Sequence, residues 1–168
     1  MLTLLTLLTL LQRLLPGLWA GTLLCLALLA TPAAFALLPQ ADAGRVVARL
    51  LAQEAYLSLA AGVVLLGLER LAARRTASTG LGTQFSPGMV LCLGALFCTV
   101  AGYFALQPMM AAARAGQGVL SFGQLHAISA AFYIVKTGLV LALAWRAARS
   151  PSLAARSQVI RPDPAPFS

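Results

Sequence analysis

The feature that most constrains this chain is an uncharged stretch of 21 residues, positions 18–38. About 20 apolar residues in a helix are enough to cross the hydrocarbon core of a bilayer. Three more apolar runs follow, at about 50–68, 89–106 and 126–145. A helical bundle satisfies its backbone hydrogen bonds internally, so the pattern predicts an all-α integral membrane protein with four antiparallel, up-down spans.

The composition excludes an ordinary soluble domain. Of the 168 residues, 60% are hydrophobic and only 10% are charged, so the lipid bilayer is the partner that the surface requires. The formal net charge is +8, but eleven of the twelve basic residues lie outside the apolar runs or at their edges. No basic cluster alternates with aromatic residues, and we therefore predict no nucleic-acid binding.

The chain divides into three parts. Residues 18–149 form the predicted four-span bundle, and the Ser-, Pro- and Arg-containing residues 150–168 are predicted to be a disordered tail. Residues 1–17 are either an amphipathic helix lying in the membrane interface or a leader segment, with a break expected at Pro16 and Gly17. The polar side of this N-terminal segment consists of Thr3, Thr6, Thr9, Gln12 and Arg13.

A signal peptide is the competing interpretation of the first apolar run, because Ala34-Phe35-Ala36 resembles a cleavage site. The run is longer than the usual apolar region of a signal peptide, and no basic residue stands near Met1. We therefore predict a first span that is not cleaved.

Several residues mark expected helix ends. Asp42 is predicted to cap the second helix, and Gln107-Pro108 to close the third span. Ser121 and Gln124 have the spacing of a capping box that opens the fourth helix.

The distribution of arginines predicts the orientation, since cytoplasmic loops carry an excess of basic residues. One side of the membrane would hold three arginines, Arg45, Arg49 and Arg114. The other would hold eight, namely Arg13, Arg70, Arg74, Arg75, Arg146, Arg149, Arg156 and Arg161. This asymmetry predicts an inner-membrane protein with both termini in the cytoplasm.

Ionisable and polar side chains inside membrane spans cost free energy, so each is expected to have a structural or functional role. By depth, Glu54, Gln107 and His126 are expected to converge near the non-cytoplasmic face, with positive charge from Arg49 or Arg114. On the fourth helix, a polar stripe should face the bundle, and its Lys136 should be paired or face a wet cavity. The candidate cluster comprises Glu54, Gln107, His126, Arg49, Arg114, Tyr103, Ser129 and Lys136.

No motif for catalysis or cofactor binding is present in the sequence. A single His cannot provide two axial haem ligands, and His126 with Glu54 is too small a set to define a metal. The three cysteines have no CxxC spacing. We predict no catalytic residue, no metal and no cofactor.

The segments LWAGTLLCLALLATPAAFALLPQADAGR, AQEAYL, LQP and LHAIS resemble a bacterial membrane family of unknown function related to the transmembrane protein 205-like domain. The resemblance extends over about 18–145, whereas Lys136 and the leucine-rich leader do not look like family features. It implies a four-span bundle without an established catalytic activity.

Three functions remain open at this point. The leading hypothesis is a non-enzymatic structural or accessory membrane protein. The alternative is a transporter or proton relay using Glu54, His126 and Lys136, although the sequence shows no obvious inverted repeat or broken pair of spans. The third is an intramembrane enzyme with Glu54 or His126 as base. A membrane-protein partner and a homo-oligomer are both left open.

Overall fold

The computed structural model describes residues 2–78 and 86–149, and the predicted tail at 150–168 lies outside them. Within the described residues the chain is helical and contains no strand. Four helical stretches are long and apolar enough to cross a membrane, and they comprise Thr6–Leu37, Gln40–Arg74, Pro87–Arg114 and Phe122–Arg149. We refer to them as spans 1 to 4. The all-α four-span bundle predicted from hydropathy is confirmed.

Span 1 is a continuous but irregular helix. Helix α1 (Leu2–Cys25) is followed by a π-helical segment, Leu26–Ala30, and by α2 (Thr31–Leu37). The predicted break at Pro16 and Gly17 is wrong, because α1 runs through Pro16. A proline removes one backbone hydrogen bond, a loss that helices in membrane bundles tolerate through their neighbours.

Span 2 is the long regular helix α3 (Gln40–Ser78). The carbonyl of Pro39 accepts the amide hydrogens of Asp42 and Ala43, so the helix begins ahead of Asp42. The prediction that Asp42 caps this helix is therefore wrong. Its carboxylate lies in the first turn and forms an exposed ion pair with Arg45.

Span 3 repeats the irregular pattern of span 1. It consists of α4 (Pro87–Thr99), a second π-helical segment, Val100–Ala105, and α5 (Leu106–Arg114). The predicted end at Gln107-Pro108 is wrong, since α5 continues for six residues beyond Pro108. In both irregular spans a proline follows the π-helical segment within three residues, and this wider turn accommodates a proline's missing N–H within the helix.

Span 4 is the regular helix α6 (Phe122–Arg149). The amide of Ser121 donates to the Gln124 side chain, and the amide of Gln124 donates to the Ser121 hydroxyl. The predicted capping box is confirmed.

The four spans pack as a square. Helix α1 packs on α6 and α3, and α4 also packs on α6 and α3, which places α3 and α6 at opposite corners. A core of small and apolar side chains fills the centre, with Trp19, Leu23, Leu65, Cys92 and Val140 almost completely buried. Gly94 and Gly102 of span 3 face Leu139 and Phe132 of α6, and the absence of side chains at these two glycines allows the helices to approach closely.

The chain is built from two hairpins with the same order of elements. Each has an irregular span with a π-helical segment and a proline, followed by a regular helix. We call the end with Leu2 and Arg149 the terminus end, and the end with Pro39 and the 115–121 connector the turn end. Spans 1 and 3 thus each contain a π-helical segment at a corresponding position, and both helices continue through it.

Candidate functional site: a buried ion pair at the centre of the bundle

Glu54 and Lys136 occupy equivalent positions in the two hairpins. Each lies fourteen residues after the first residue of its helix, Gln40 in α3 and Phe122 in α6. Both lie within three residues of the midpoints of spans 2 and 4. A charge at the bilayer centre costs about 2.5–3.5 kcal/mol on insertion scales, so this is the depth at which a partner matters most.

The two side chains form a buried ion pair across the diagonal of the square. The Lys136 ammonium donates to both carboxylate oxygens of Glu54 at 2.8 Å. Each side chain is only 4% exposed. Opposite charges that also share hydrogen bonds offset much of the free energy lost when they leave water.

A chain of hydrogen bonds extends the pair to span 1. The Ser58 hydroxyl donates to the carboxylate of Glu54 one helical turn away. The same hydroxyl accepts a hydrogen bond from the indole N–H of Trp19 at 2.8 Å. The ammonium of Lys136 also lies 4.8 Å from the centre of the Tyr133 ring, within the range of a cation–π interaction.

Helix α6 thus contacts each of the other spans through one polar side chain. Ser129 donates to the Gly102 carbonyl in the π-helical segment of span 3, at 2.6 Å. Tyr133 donates to the Leu23 carbonyl of span 1 at 2.9 Å, and Lys136 binds Glu54 of span 2. Among the described residues, no buried side-chain nitrogen or oxygen lacks a hydrogen-bond partner.

The other residues of the candidate cluster lie elsewhere. Within the described part of the chain, Glu54 bonds to Ser58 and Lys136, and neither Gln107 nor His126 is among its partners. Exposed His126 instead stacks on Phe122, whose ring also lies 4.4 Å from the Arg114 guanidinium. Arg49 is exposed, and the ring of Tyr103 packs on that of Phe104.

Depth explains why the sequence pointed to the wrong partners for Glu54. The apolar run begins near residue 50, which suggests that Glu54 lies at the edge of the membrane. The helix begins ten residues earlier, at Gln40, so Glu54 is central. Lys136 was recognisable as a central cation that needed a partner. Ser58 stands one helical turn after Glu54, but nothing in the sequence indicated that Ser58 and Trp19 would join the ion pair.

A second polar cluster lies towards the terminus end. The carboxylate of Glu69 accepts hydrogen bonds from the Gln12 amide and the Ser86 hydroxyl, both at 2.8 Å. The Ser86 hydroxyl also accepts from the Met89 amide and so caps α4. Gly88 is buried against the Glu69 carboxylate, which would have to move to admit a side chain at this position. Glu69 lies outside the candidate cluster predicted from the sequence.

The central site holds two opposite charges in contact within the bundle. Throughout residues 2–78 and 86–149, no group of three or more His, Cys, Asp or Glu side chains could hold a metal ion.

The comparisons with known proteins concern the first three spans. Residues 14–118 match the model of a family described as a domain of unknown function, DUF4149. No curated protein and no solved structure matches the chain. The matched region includes Trp19, Glu54 and Ser58, whereas Lys136 and the rest of α6 lie beyond it.

Proposed function

Because the chain belongs to the DUF4149 family, a domain of unknown function, we propose its role from the central site alone: it is a non-enzymatic structural or accessory membrane protein. In this proposal the Glu54–Lys136 pair ties the two hairpins together. The resemblance to the transmembrane protein 205-like domain is consistent with this role and is part of the proposal.

The observation that carries the proposal is the completeness of the hydrogen bonding. Lys136 donates two hydrogen bonds to the Glu54 carboxylate, and Ser58 donates a third. The Lys136 ammonium also lies against the Tyr133 ring. Polar side chains that bond to one another across helices stabilise membrane bundles. A site with every buried polar group paired fits a structural tie better than a binding site awaiting a ligand.

The orientation forms part of the same proposal. Arg13, Arg70, Arg74, Arg146 and Arg149 lie towards the terminus end of the bundle. We place this end in the cytoplasm and the turn end on the other side of the inner membrane. Trp145 is exposed near the terminus end, with the Arg149 guanidinium 4.3 Å from its ring, an arrangement suited to the interface between lipid and water.

A transporter or proton relay is the second candidate function, and one observation favours it. Broken spans at corresponding positions of two halves, with ionisable groups at the midplane between them, are typical of transporters. Spans 1 and 3 are continuous, but a π-helical segment disturbs each at a corresponding position, and the Glu54–Lys136 pair lies between the hairpins.

The two candidates predict different behaviour for Glu54→Gln. A structural tie loses stability, because the Lys136 charge is left buried without its counter-charge, and the wild-type protein carries no proton flux in liposomes. A proton relay shows flux in the wild type that Glu54→Gln abolishes, so the flux distinguishes the two candidates. Unfolding in detergent and a pH-sensitive dye inside proteoliposomes measure the two properties.

The exposed pair of Asp42 with Arg45 provides the matched control. Asp42→Asn also removes one carboxylate from an ion pair, but at a surface position, so its cost should not exceed about 0.5 kcal/mol. Proton flux that depends on Glu54 would overturn the structural proposal.

A further inference from the structure

The two hairpins are packed together at one end only. Packing between them is provided by α1 on α6 and by α3 on α4. Between the π-helical segments and the turn end, α2 packs on α3 and α5 packs on α6, each within its own hairpin. Across the described residues, neither α2 nor α5 has extended packing with the opposite hairpin.

The exposure of these two short helices agrees with that pattern. No residue of α2 is buried, and Met110 is the one buried residue of α5. We call the half of the bundle in which α1 packs on α6 and α3 packs on α4 the joined part. The half that contains α2 and α5 is the separate part, and the central ion pair lies at the boundary between the two parts.

The π-helical segments lie at the same boundary. Each one separates the joined part of its span from α2 or α5, and each is followed by a proline, Pro32 or Pro108. Prolines and π-helical turns are the usual places where helices bend. The Tyr133 hydroxyl donates to the Leu23 carbonyl, just before the first π-helical segment, and the Ser129 hydroxyl donates to the Gly102 carbonyl within the second.

We propose that α2 and α5 bend at these two π-helical segments and admit water from the turn end as far as the Glu54–Lys136 pair. The pair then acts as the pivot that holds the hairpins together while their turn ends separate. The pivot rests on the structural role proposed above, whereas the hinges rest on the π-helical segments and the packing. The fold thus contains a cleft that opens towards one side of the membrane.

Two native cysteines report on this access. Cys98 lies in the last turn of α4, beside the second π-helical segment, and Cys92 lies six residues nearer the terminus end, about 9 Å deeper along the helix. Both side chains are buried, at 6% and 0% exposure. Water that enters from the turn end reaches Cys98 first.

The experiment compares two variants in nanodiscs. Cys25→Ser with Cys92→Ser leaves Cys98, and Cys25→Ser with Cys98→Ser leaves Cys92. A quaternary-ammonium methanethiosulfonate, which needs water to reach a thiol, should modify Cys98 faster than Cys92. Replacing both hinge prolines by alanine should slow modification of Cys98 about fivefold, the population change produced by about 1 kcal/mol, without affecting Cys92.

A second measurement retains the hinge prolines and so does not depend on the folding of those variants. Spin labels at Ala36 and Ala111, exposed on α2 and α5, should give a broad distance distribution in nanodiscs. Labels at Leu14 and Val90, exposed in the joined half, should give a narrow one.

Equal reaction rates for the two cysteines, or equally narrow distributions for the two label pairs, would overturn the hinge. Loss of stability in Glu54→Gln bears on the tie alone, so the two proposals fail separately.

Discussion

The ammonium of Lys136 and the carboxylate of Glu54 meet at 2.8 Å from helices at opposite corners of the bundle, each fourteen residues from the start of its helix. Neighbouring spans are held together mainly by apolar packing. The diagonal pair provides the contact by which α3 and α6 hold each other across the centre. This geometry leads to predictions for the packing around it and for the pair itself.

Gly102→Ala should destabilise the bundle by about 1–3 kcal/mol, the range found for overpacking. A Cβ at this position would lie 2.5 Å from the Phe132 Cβ, an atom that cannot move without its backbone. The shift would also disturb the hydrogen bond from Ser129 to the Gly102 carbonyl. Thermal unfolding in detergent measures the loss.

Gly138→Ala is the control for that substitution. Gly138 is helical, and a Cβ added there would have no neighbouring atom within 4 Å, so alanine should be neutral or gain about 0.5–1 kcal/mol. Equal losses at the two positions would show that Phe132 does not pack closely on Gly102.

Gly88→Ala should break the second polar cluster. The added methyl group would meet the Glu69 carboxylate, which must move away from Ser86 and Gln12. We expect a loss of about 1–2 kcal/mol from two weakened hydrogen bonds. In Glu69→Ala the obstructing carboxylate is absent, so adding Gly88→Ala to that variant should cost little; an undiminished loss there would argue against the contact.

Trp19→Phe should cost about 1–3 kcal/mol, because it removes the indole donor to Ser58 and part of a buried ring. Part of that loss should disappear when Ser58 is already alanine, since the hydrogen bond is then absent. Double-mutant analysis of unfolding in detergent separates the two contributions. If the losses of the two single variants simply add, the hydrogen bond contributes nothing.

Reporter fusions should place the 79–85 connector in the cytoplasm and the Pro39 turn on the other side. The reason is the arginine asymmetry between the two ends of the bundle. A reporter that is active on the same side at both positions would refute the four-span topology.

An intact mass should show that the first span is retained. Trp19 and Leu23 belong to the buried core, and Trp19 also bonds to Ser58, so removing this span would leave the centre of the bundle open. A mature protein that begins at Leu37 would contradict the account of the site.

Hydropathy was sufficient to predict the spans, because the requirement for about 20 apolar residues is strong and local. Helix ends were harder to predict, since Pro16, Asp42 and Pro108 carry local signals that the packed bundle overrides. The prolines also explain why the π-helical segments were missed: a proline shows that a helix will be disturbed, but not that it will continue through a wider turn.

The candidate site was predicted in part. Lys136 could be recognised as a central cation in need of a partner, because its depth follows from the length of the fourth apolar run. Its partner could not be identified, since that depends on which helices stand diagonally in the square and on where α3 begins. The second apolar run begins about ten residues after the start of α3, so Glu54 seemed to lie near the membrane edge. His126 and Gln107 were predicted at that same depth for this reason.

The most direct test of the structural tie is an exchange of the two charges. Glu54→Lys and Lys136→Glu, made singly, place like charges together at the centre and should each cost about 3–5 kcal/mol or prevent folding. The double variant restores an opposite pair between equivalent positions, and the Ser58 hydroxyl can accept a hydrogen bond from the new lysine. Unfolding of all four proteins in detergent should show that the double variant recovers more than half of the summed loss. A double variant as unstable as the sum of its single changes would contradict the account, because the two charges would then not stabilise the bundle by their contact.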